Sequence, residues 1–340
     1  MPEHNFHPVR GKLERFSFSS KLLHNSLGDP IEREVMVHIP TQGIDILDGG
    51  DSLPVMIYLA PFTSSGLARA GWKAFAETLP QRHERLVSQG LMKPTILVMP
   101  DCFTSLGGNQ FVDSKTLGQW SSWLHKDLKT QISTRYNCNG RFALFGKSSG
   151  GYGAIHNAIH HPGEWFAIAS HSGDVGFDTL YRSDFHQTAT HISKFGDLDG
   201  FLKHIKTTSK LSSGDFHSLM ICAMAASYDS ATEFEGGFTI KLPFDLQYCQ
   251  IDEGAWGNWK LFDPLVSLKN NIDSLKSLNL LYIDCGDMDQ YGIQYGSRTF
   301  VKMLGENGIK HQWEEFSGTH SSIEHRLDIS MPLLSEVLHS

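Results

Sequence analysis

The run Gly146-Lys147-Ser148-Ser149-Gly150 narrows the fold of this chain more than any other stretch. It follows the apolar segment Arg141 to Phe145 directly and opens a stretch of helical composition from Ser149 to His161. The pattern G-x-S-x-G sets a serine on a sharp strand-to-helix turn, where glycines two before and two after it let the backbone pass without side-chain clash. Only Ser148 satisfies it, because Ser149 has Lys147 rather than glycine two residues earlier. In a chain with 32 glycines the pentapeptide alone also suits a plain strand, turn and helix, so its surroundings decide.

Those surroundings alternate strand and helix. Leu13 to Ser20 and Ile31 to Ile39 alternate apolar and polar residues about the turn residues Leu27-Gly28-Asp29-Pro30, predicting an antiparallel opening pair. Pro54 to Ala60 and Pro94 to Met99 are continuous apolar runs, as central parallel strands covered on both faces require. Between them, 68–90 reads as largely helical with an interruption at Pro80. Trp120, Trp123, Leu124, Leu128 and Ile132 fall at helical spacing within 117–136 and predict one stripe packed on a sheet. Trp165 to Ser170, Leu278 to Asp284 and His311 to Phe316 read as further strands, with helices near 293–308 and 322–338. From Asp174 to roughly Ser277 the alternation lapses into loop-rich sequence with short helical pieces and aromatics. The expectation is a doubly wound α/β chain with a mostly parallel sheet, one domain over 1–340 with 174–277 as a cap-like insertion.

Composition excludes several classes. A net charge of -8 without clustered Lys and Arg argues against a nucleic-acid or anionic-membrane surface. No run approaches the ~18 apolar residues of a membrane span, and Met1 to Gly11 lacks the apolar core of a secretory signal. Five scattered cysteines with no C-x-x-C spacing suit neither a disulfide framework nor a zinc site. A reduced, cytoplasmic protein without metal or cofactor is the simplest expectation, and nothing in the composition opposes a homo-oligomer.

A serine hydroxyl needs a histidine base and an orienting carboxylate, in this architecture in the chain order Ser, acid, His. After the strand ending at Asp284 comes Cys285-Gly286-Asp287-Met288-Asp289, and after the next strand Ser317-Gly318-Thr319-His320. His320 is the expected base. Asp289 is the favoured acid, with Asp287 second and Asp174, just past the strand after the elbow, third. Negative charge developing on a carbonyl oxygen calls for two backbone donors. Ser149 N–H supplies one; Thr63 or Phe62 supplies the other, since Pro61 has no N–H. Phe62, Asn109 and Gln110 on loops leaving the two apolar strands, with Trp256 from the insertion, are the expected pocket residues. Lys147, beside the nucleophile, suits either an anionic substrate or a salt bridge.

Several ordered motifs together resemble the putative esterase family of α/β-hydrolases, which includes esterase D-like enzymes, enterochelin esterase-like enzymes and bacterial mycolyltransferases. They are PDCFTSLGGNQFVDS from Pro100, GKSSGGYGAIHNAIHHPGEWFAIASHSGD from Gly146, WGNWKLFDP from Trp256, YIDCGDMDQYGIQYGSRTF from Tyr282 and FSGTHSSIEHR from Phe316. The resemblance implies Ser148 as nucleophile, Asp289 as acid and His320 as base in a serine hydrolase of small carboxylic esters. One departure is Pro61-Phe62, where members commonly carry His-Gly or Asp-Gly. An acyltransferase would use the same residues, and a non-catalytic relative would be expected to lack one of them. A neutral histidine base predicts activity that rises with pH through roughly 6 to 7.

Overall fold

In a computed structural model describing residues 9–229, 233–234, 237–238 and 240–340, the apolar runs lie in the middle of an eight-stranded sheet. Residues 1–8, on which most of the reading of the N-terminus rests, lie outside the described residues. The strands are β1 (Lys12–Ser19), β2 (Glu32–Ile39), β3 (Leu53–Leu59), β4 (Ile96–Pro100), β5 (Cys138–Lys147), β6 (Ala167–His171), β7 (Leu280–Gly286) and β8 (Gln312–Phe316). Their order is β1-β2-β4-β3-β5-β6-β7-β8. The first two strands pair antiparallel, β2 joins β4 antiparallel, and every pairing from β4 to β8 is parallel.

β3 and β4 are buried along their whole length, which is why neither run alternates with polar residues. Successive side chains of β3 point to opposite faces. Val55 and Ile57 join the core beneath α2 (Ser149–His160), and Met56 and Tyr58 join the core beneath α1 (Leu79–Ser88) and α4 (Leu327–Leu338). The five-residue stripe from Trp120 to Ile132 is wholly buried on the α2 side, carried by Trp120–Ser122, a π-helical turn over Trp123–Leu128, and Lys129–Arg135.

Two expectations are corrected. Pro80 does not interrupt a helix; it starts one. Thr78 Oγ1 accepts the Gln81 N–H at 3.3 Å while Gln81 Oε1 accepts the Thr78 N–H at 2.8 Å. Proline suits the following first turn, whose N–H groups have no intrahelical partner. Before it lie only the short Leu67–Ala70 3-10 turn and irregular chain. Second, among the described residues of 174–277 the helical pieces outweigh the loops. Its longest element is the 16-residue α3 (Ser213–Tyr228), entered by a Ser212–Asp215 capping box and buried at every position from Ser218 onward. A helix covered on all sides shows no polar stripe, so its period is invisible in the sequence. Among the described residues, no helix is long and apolar enough to cross a membrane.

A buried polar cluster braces the sheet beside the elbow. Lys147 pairs in register with His171, and His171 with Asp284, across β5, β6 and β7. His171 Nδ1 lies 2.8 Å from Asp284 Oδ1, and His171 Nε2 lies 2.8 Å from Ser330 Oγ on α4. Arg326 Nε donates to the other Asp284 oxygen at 2.9 Å. Asp284, His171 and Ser330 are sealed from solvent.

Candidate active site

Ser148 sits between β5 and α2 with φ 56° and ψ −127°, a conformation that costs a residue with a Cβ free energy and persists only where its surroundings hold it. Its N–H donates to His171 O at 2.9 Å, and its carbonyl accepts the Tyr152 N–H at 2.8 Å. The flanking glycines are needed for space: a methyl group on either Gly146 or Gly150 would overlap the Leu59 carbonyl oxygen of β3. Gly150→Ala is therefore expected to cost about 1–3 kcal/mol in urea unfolding, with a loss of activity because the turn must move; an unchanged midpoint and rate would contradict that packing.

The loops after β7 and β8 meet beside the serine. Asp287 joins them, its N–H donating to Phe316 O at 2.9 Å and its Oδ1 accepting the Gly318 N–H at 3.0 Å. Asp289 is buried, with Oδ2 2.8 Å from His320 Nδ1 and Oδ1 accepting the Tyr291 N–H at 2.9 Å. The His320 N–H is held by Gln290 Oε1 at 3.0 Å. With Nδ1–H turned to a carboxylate, Nε2 is the nitrogen left to accept a proton.

Ser148, His320, Asp174, Phe62 and Lys147 line one cavity of about 160 Å³, with Tyr181, Phe216 and Met220 contributed from 174–277. A larger cleft of about 510 Å³, lined by Glu77, Arg82, Arg85 and Asp328 among others, holds ion pairs and neither Ser148 nor His320. Burial lowers the pKa of Lys147, against the pull of the Glu324 and Asp289 carboxylates.

The expected site residues do not all reach the cavity. Ser149 lines the cavity at the start of α2. Thr63 is exposed, and its N–H is committed to Gly107 O at 2.7 Å, so it is not a donor to substrate; Phe62, its alternative on the same loop, is the one that lines the cavity. Asn109 pins its own loop, donating to Cys102 O at 2.6 Å and accepting the Phe111 N–H at 2.5 Å. Gln110 stands behind the elbow, donating to Ser149 Oγ at 2.8 Å. Trp256 packs among Phe185 and Trp259 in the core, its indole N–H on Asp178 Oδ1 at 3.2 Å. Neither Asn109, Gln110 nor Trp256 lines the cavity. Tyr181, Phe216 and Met220 were not singled out, because Phe216 and Met220 ride on α3, which shows no period, and Tyr181 sits in a turn between two short helical pieces; Tyr291 lay two residues past Asp289 in a loop already singled out.

Asp174 reaches the site by another route. It is buried, its Oδ2 accepts the Tyr181 hydroxyl at 2.8 Å, and Ser148 Oγ lies 3.5 Å from its Oδ1. Burial pushes its pKa up from 3.8 to about 6, with the Tyr181 hydroxyl and His320 acting in the opposite direction. A raised carboxylate pKa means that the folded state binds the proton more tightly, so stability falls as pH rises through this window. The penalty above pH 6 is at most about 3 kcal/mol. Asp174→Asn removes the charge, and its stability relative to wild type is expected to improve between pH 4 and pH 7. Urea midpoints of the two proteins at both pH values check this, and a pH-independent difference would contradict it.

A serine on a strand-to-helix elbow, a histidine and carboxylate after later strands, and a mostly parallel sheet with helices on both faces define an α/β-hydrolase. The chain belongs to the family described as Putative esterase, which matches residues 30–330, and it is a carboxylic ester hydrolase of that family. No protein of curated function matches the sequence. Among solved structures, a ferulic acid esterase superposes with a TM-score of 0.60 at 15% identity, covering 98% of this chain and 100% of its own. An S-formylglutathione hydrolase from Agrobacterium tumefaciens gives 0.57 at 16% identity, covering 98% and 97%. FphF, a fluorophosphonate-binding serine hydrolase of Staphylococcus aureus, gives 0.57 at 12%, covering 97% and 99%. At these identities the likeness is one of fold.

Proposed function

We propose that Ser148, His320 and Asp289 form a catalytic triad that cleaves small carboxylic esters through an acyl-enzyme. The observation that carries this is the buried Asp289–His320 pair at 2.8 Å, whose histidine shares a cavity with a serine on a strained elbow. Asp289 holds Nδ1–H and so presents Nε2 as the base. His320 takes the Ser148 proton as Oγ attacks the ester carbonyl, and the Ser149 and Phe62 N–H groups receive the charge on the carbonyl oxygen. His320 returns the proton to the departing alcohol, then activates water in the same way to release the acid. A cavity of about 160 Å³ suits a short acyl group.

The chain is one domain over 1–340 in this reading, with 174–277 as a cap that supplies cavity wall. All five cysteines are unpaired, which supports a reduced, cytoplasmic setting. Mass spectrometry after rapid mixing with a 4-nitrophenyl ester tests the mechanism. An acyl group on the peptide containing Ser148, discharged as free acid, is expected; discharge mainly onto an added alcohol at low concentration would make the protein a transferase, and turnover with acylation elsewhere would overturn the assignment.

A further inference from the structure

Asp174 is a carboxylate that the proposed mechanism does not use, although it lines the cavity and lies beside the nucleophile. Its two oxygens have different fates. Oδ2 is occupied by the Tyr181 hydroxyl at 2.8 Å, a contact within 174–277 that leaves Oδ1 turned to Ser148 Oγ at 3.5 Å. In the free enzyme the Ser148 hydroxyl is a donor within reach of Oδ1. In the acyl-enzyme it is not: Oγ has become an ester oxygen and carries no proton.

Acylation therefore strips a buried carboxylate oxygen of its hydrogen-bond donor. A buried acceptor left without a partner costs free energy, more so when it is charged. His320 does not fill the vacancy in that intermediate, because it has given its Nε2 proton to the departing alcohol and its Nδ1–H is on Asp289. Nor does the alcohol, which has left. Apart from the water that His320 activates, what remains beside Oδ1 is the acyl group, with any substituent on its first carbons held near Oγ by covalent geometry.

We propose that Asp174 is a specificity-determining residue that selects esters whose acyl group carries a hydrogen-bond donor, a hydroxyl or an ammonium, on the carbon next to the carbonyl or the one beyond it. The inference rests on Ser148 being the nucleophile. Tyr181 positions the carboxylate by holding Oδ2, so that a single oxygen meets the substrate.

The test compares four 4-nitrophenyl esters: acetate, glycolate, methoxyacetate and glycinate, each corrected for spontaneous hydrolysis. Glycolate and methoxyacetate both place an electron-withdrawing oxygen on the same carbon, but only glycolate can donate. Wild-type enzyme is expected to favour glycolate over methoxyacetate by at least about tenfold in kcat/KM, or glycinate over acetate by a similar factor. The first preference identifies a hydroxyl and the second an ammonium. Asp174→Ala is expected to bring the ratio to near one. Asp174→Asn, which keeps an oxygen acceptor without the charge, retains part of a hydroxyl preference and loses an ammonium preference. A wild-type ratio near one for both pairs, or a ratio that survives Asp174→Ala, overturns the proposal. Fluorophosphonate labelling of Ser148 checks that each variant keeps its elbow; if the alanine variant does not, the wild-type and asparagine ratios decide. Acetate turnover without donor preference defeats this inference alone. Absence of both turnover and labelling in wild type defeats the hydrolase mechanism and this inference with it.

Discussion

Alanine at position 148 is expected to lower kcat on a 4-nitrophenyl ester by about 10⁵- to 10⁶-fold and to abolish fluorophosphonate labelling. The size of the loss follows from what remains. Oxyanion donors and the cavity still bind the ester, but no protein atom attacks the carbonyl, and His320 has only water to activate. Alanine keeps the Cβ that serine already places at φ 56°, so the turn carries the same strain and the fold is expected to survive. A thermal melt within a few degrees of wild type would show that chemistry rather than structure was lost. Labelling that persists would mean a different nucleophile.

Asparagine at position 289 is expected to cost about 10⁴-fold in kcat. An amide at 2.8 Å from His320 Nδ1 favours turning its NH₂ to the ring, which flips the tautomer and places the proton on Nε2, where a base is needed. It also leaves the imidazolium of the transition state without its counter-charge. The parallel change Asp287→Asn keeps an oxygen that accepts the Gly318 N–H, so the stitch between the two loops holds and kcat is expected to fall tenfold or less. Side-by-side kcat values decide between the two aspartates, and a larger loss at 287 would transfer the role.

The sheet was legible in the sequence because its strands obey simple rules. Continuous apolar runs at 54–60 and 94–99 have one explanation, burial on both faces, and β3 and β4 are buried throughout. Ser148 and His320 were legible for another reason: strand ends of an open α/β sheet bring distant loops together, so position after a strand stands in for distance in space. Selection between Asp287 and Asp289 was only a preference, since residues two apart in a loop differ by which groups of the facing loop they meet, here the Gly318 N–H and the His320 ring. Thr63 failed because the acceptor of its N–H, Gly107, lies 44 residues away, in a loop whose approach no local pattern announces. Asn109 and Gln110 belong to a loop that contributes no residue to the cavity wall, and nothing in their identity says that they turn inward to pin Cys102 and Ser149. Trp256 illustrates the larger loss. It lies with Trp259 on the buried face of Glu253–Phe262, whose other face is exposed, and helical spacing marks such aromatic residues as buried without saying whether they meet core or cavity. The same blindness hid Phe216 and Met220, and Pro80 misled because proline breaks a helix interior and begins a first turn with equal readiness.

The sealed cluster at the back of the sheet gives the molecule a built-in control. Ser330, His171 and Asp284 repeat the residue types of the candidate triad, in the same hydrogen-bonded order and at 2.8 Å in both links. By the measure of side-chain contact that chain is the better formed of the two, since the Ser148 hydroxyl lies near Asp174 in the resting protein. It nevertheless has no mouth, and Ser330 lies within a helix rather than on an elbow. A template search on three side chains would return both sites from one polypeptide and rank them wrongly. What separates them is a turn that opens on a cavity in which a carbonyl can sit, so recognition of enzymes of this kind has to score the void as well as the atoms around it.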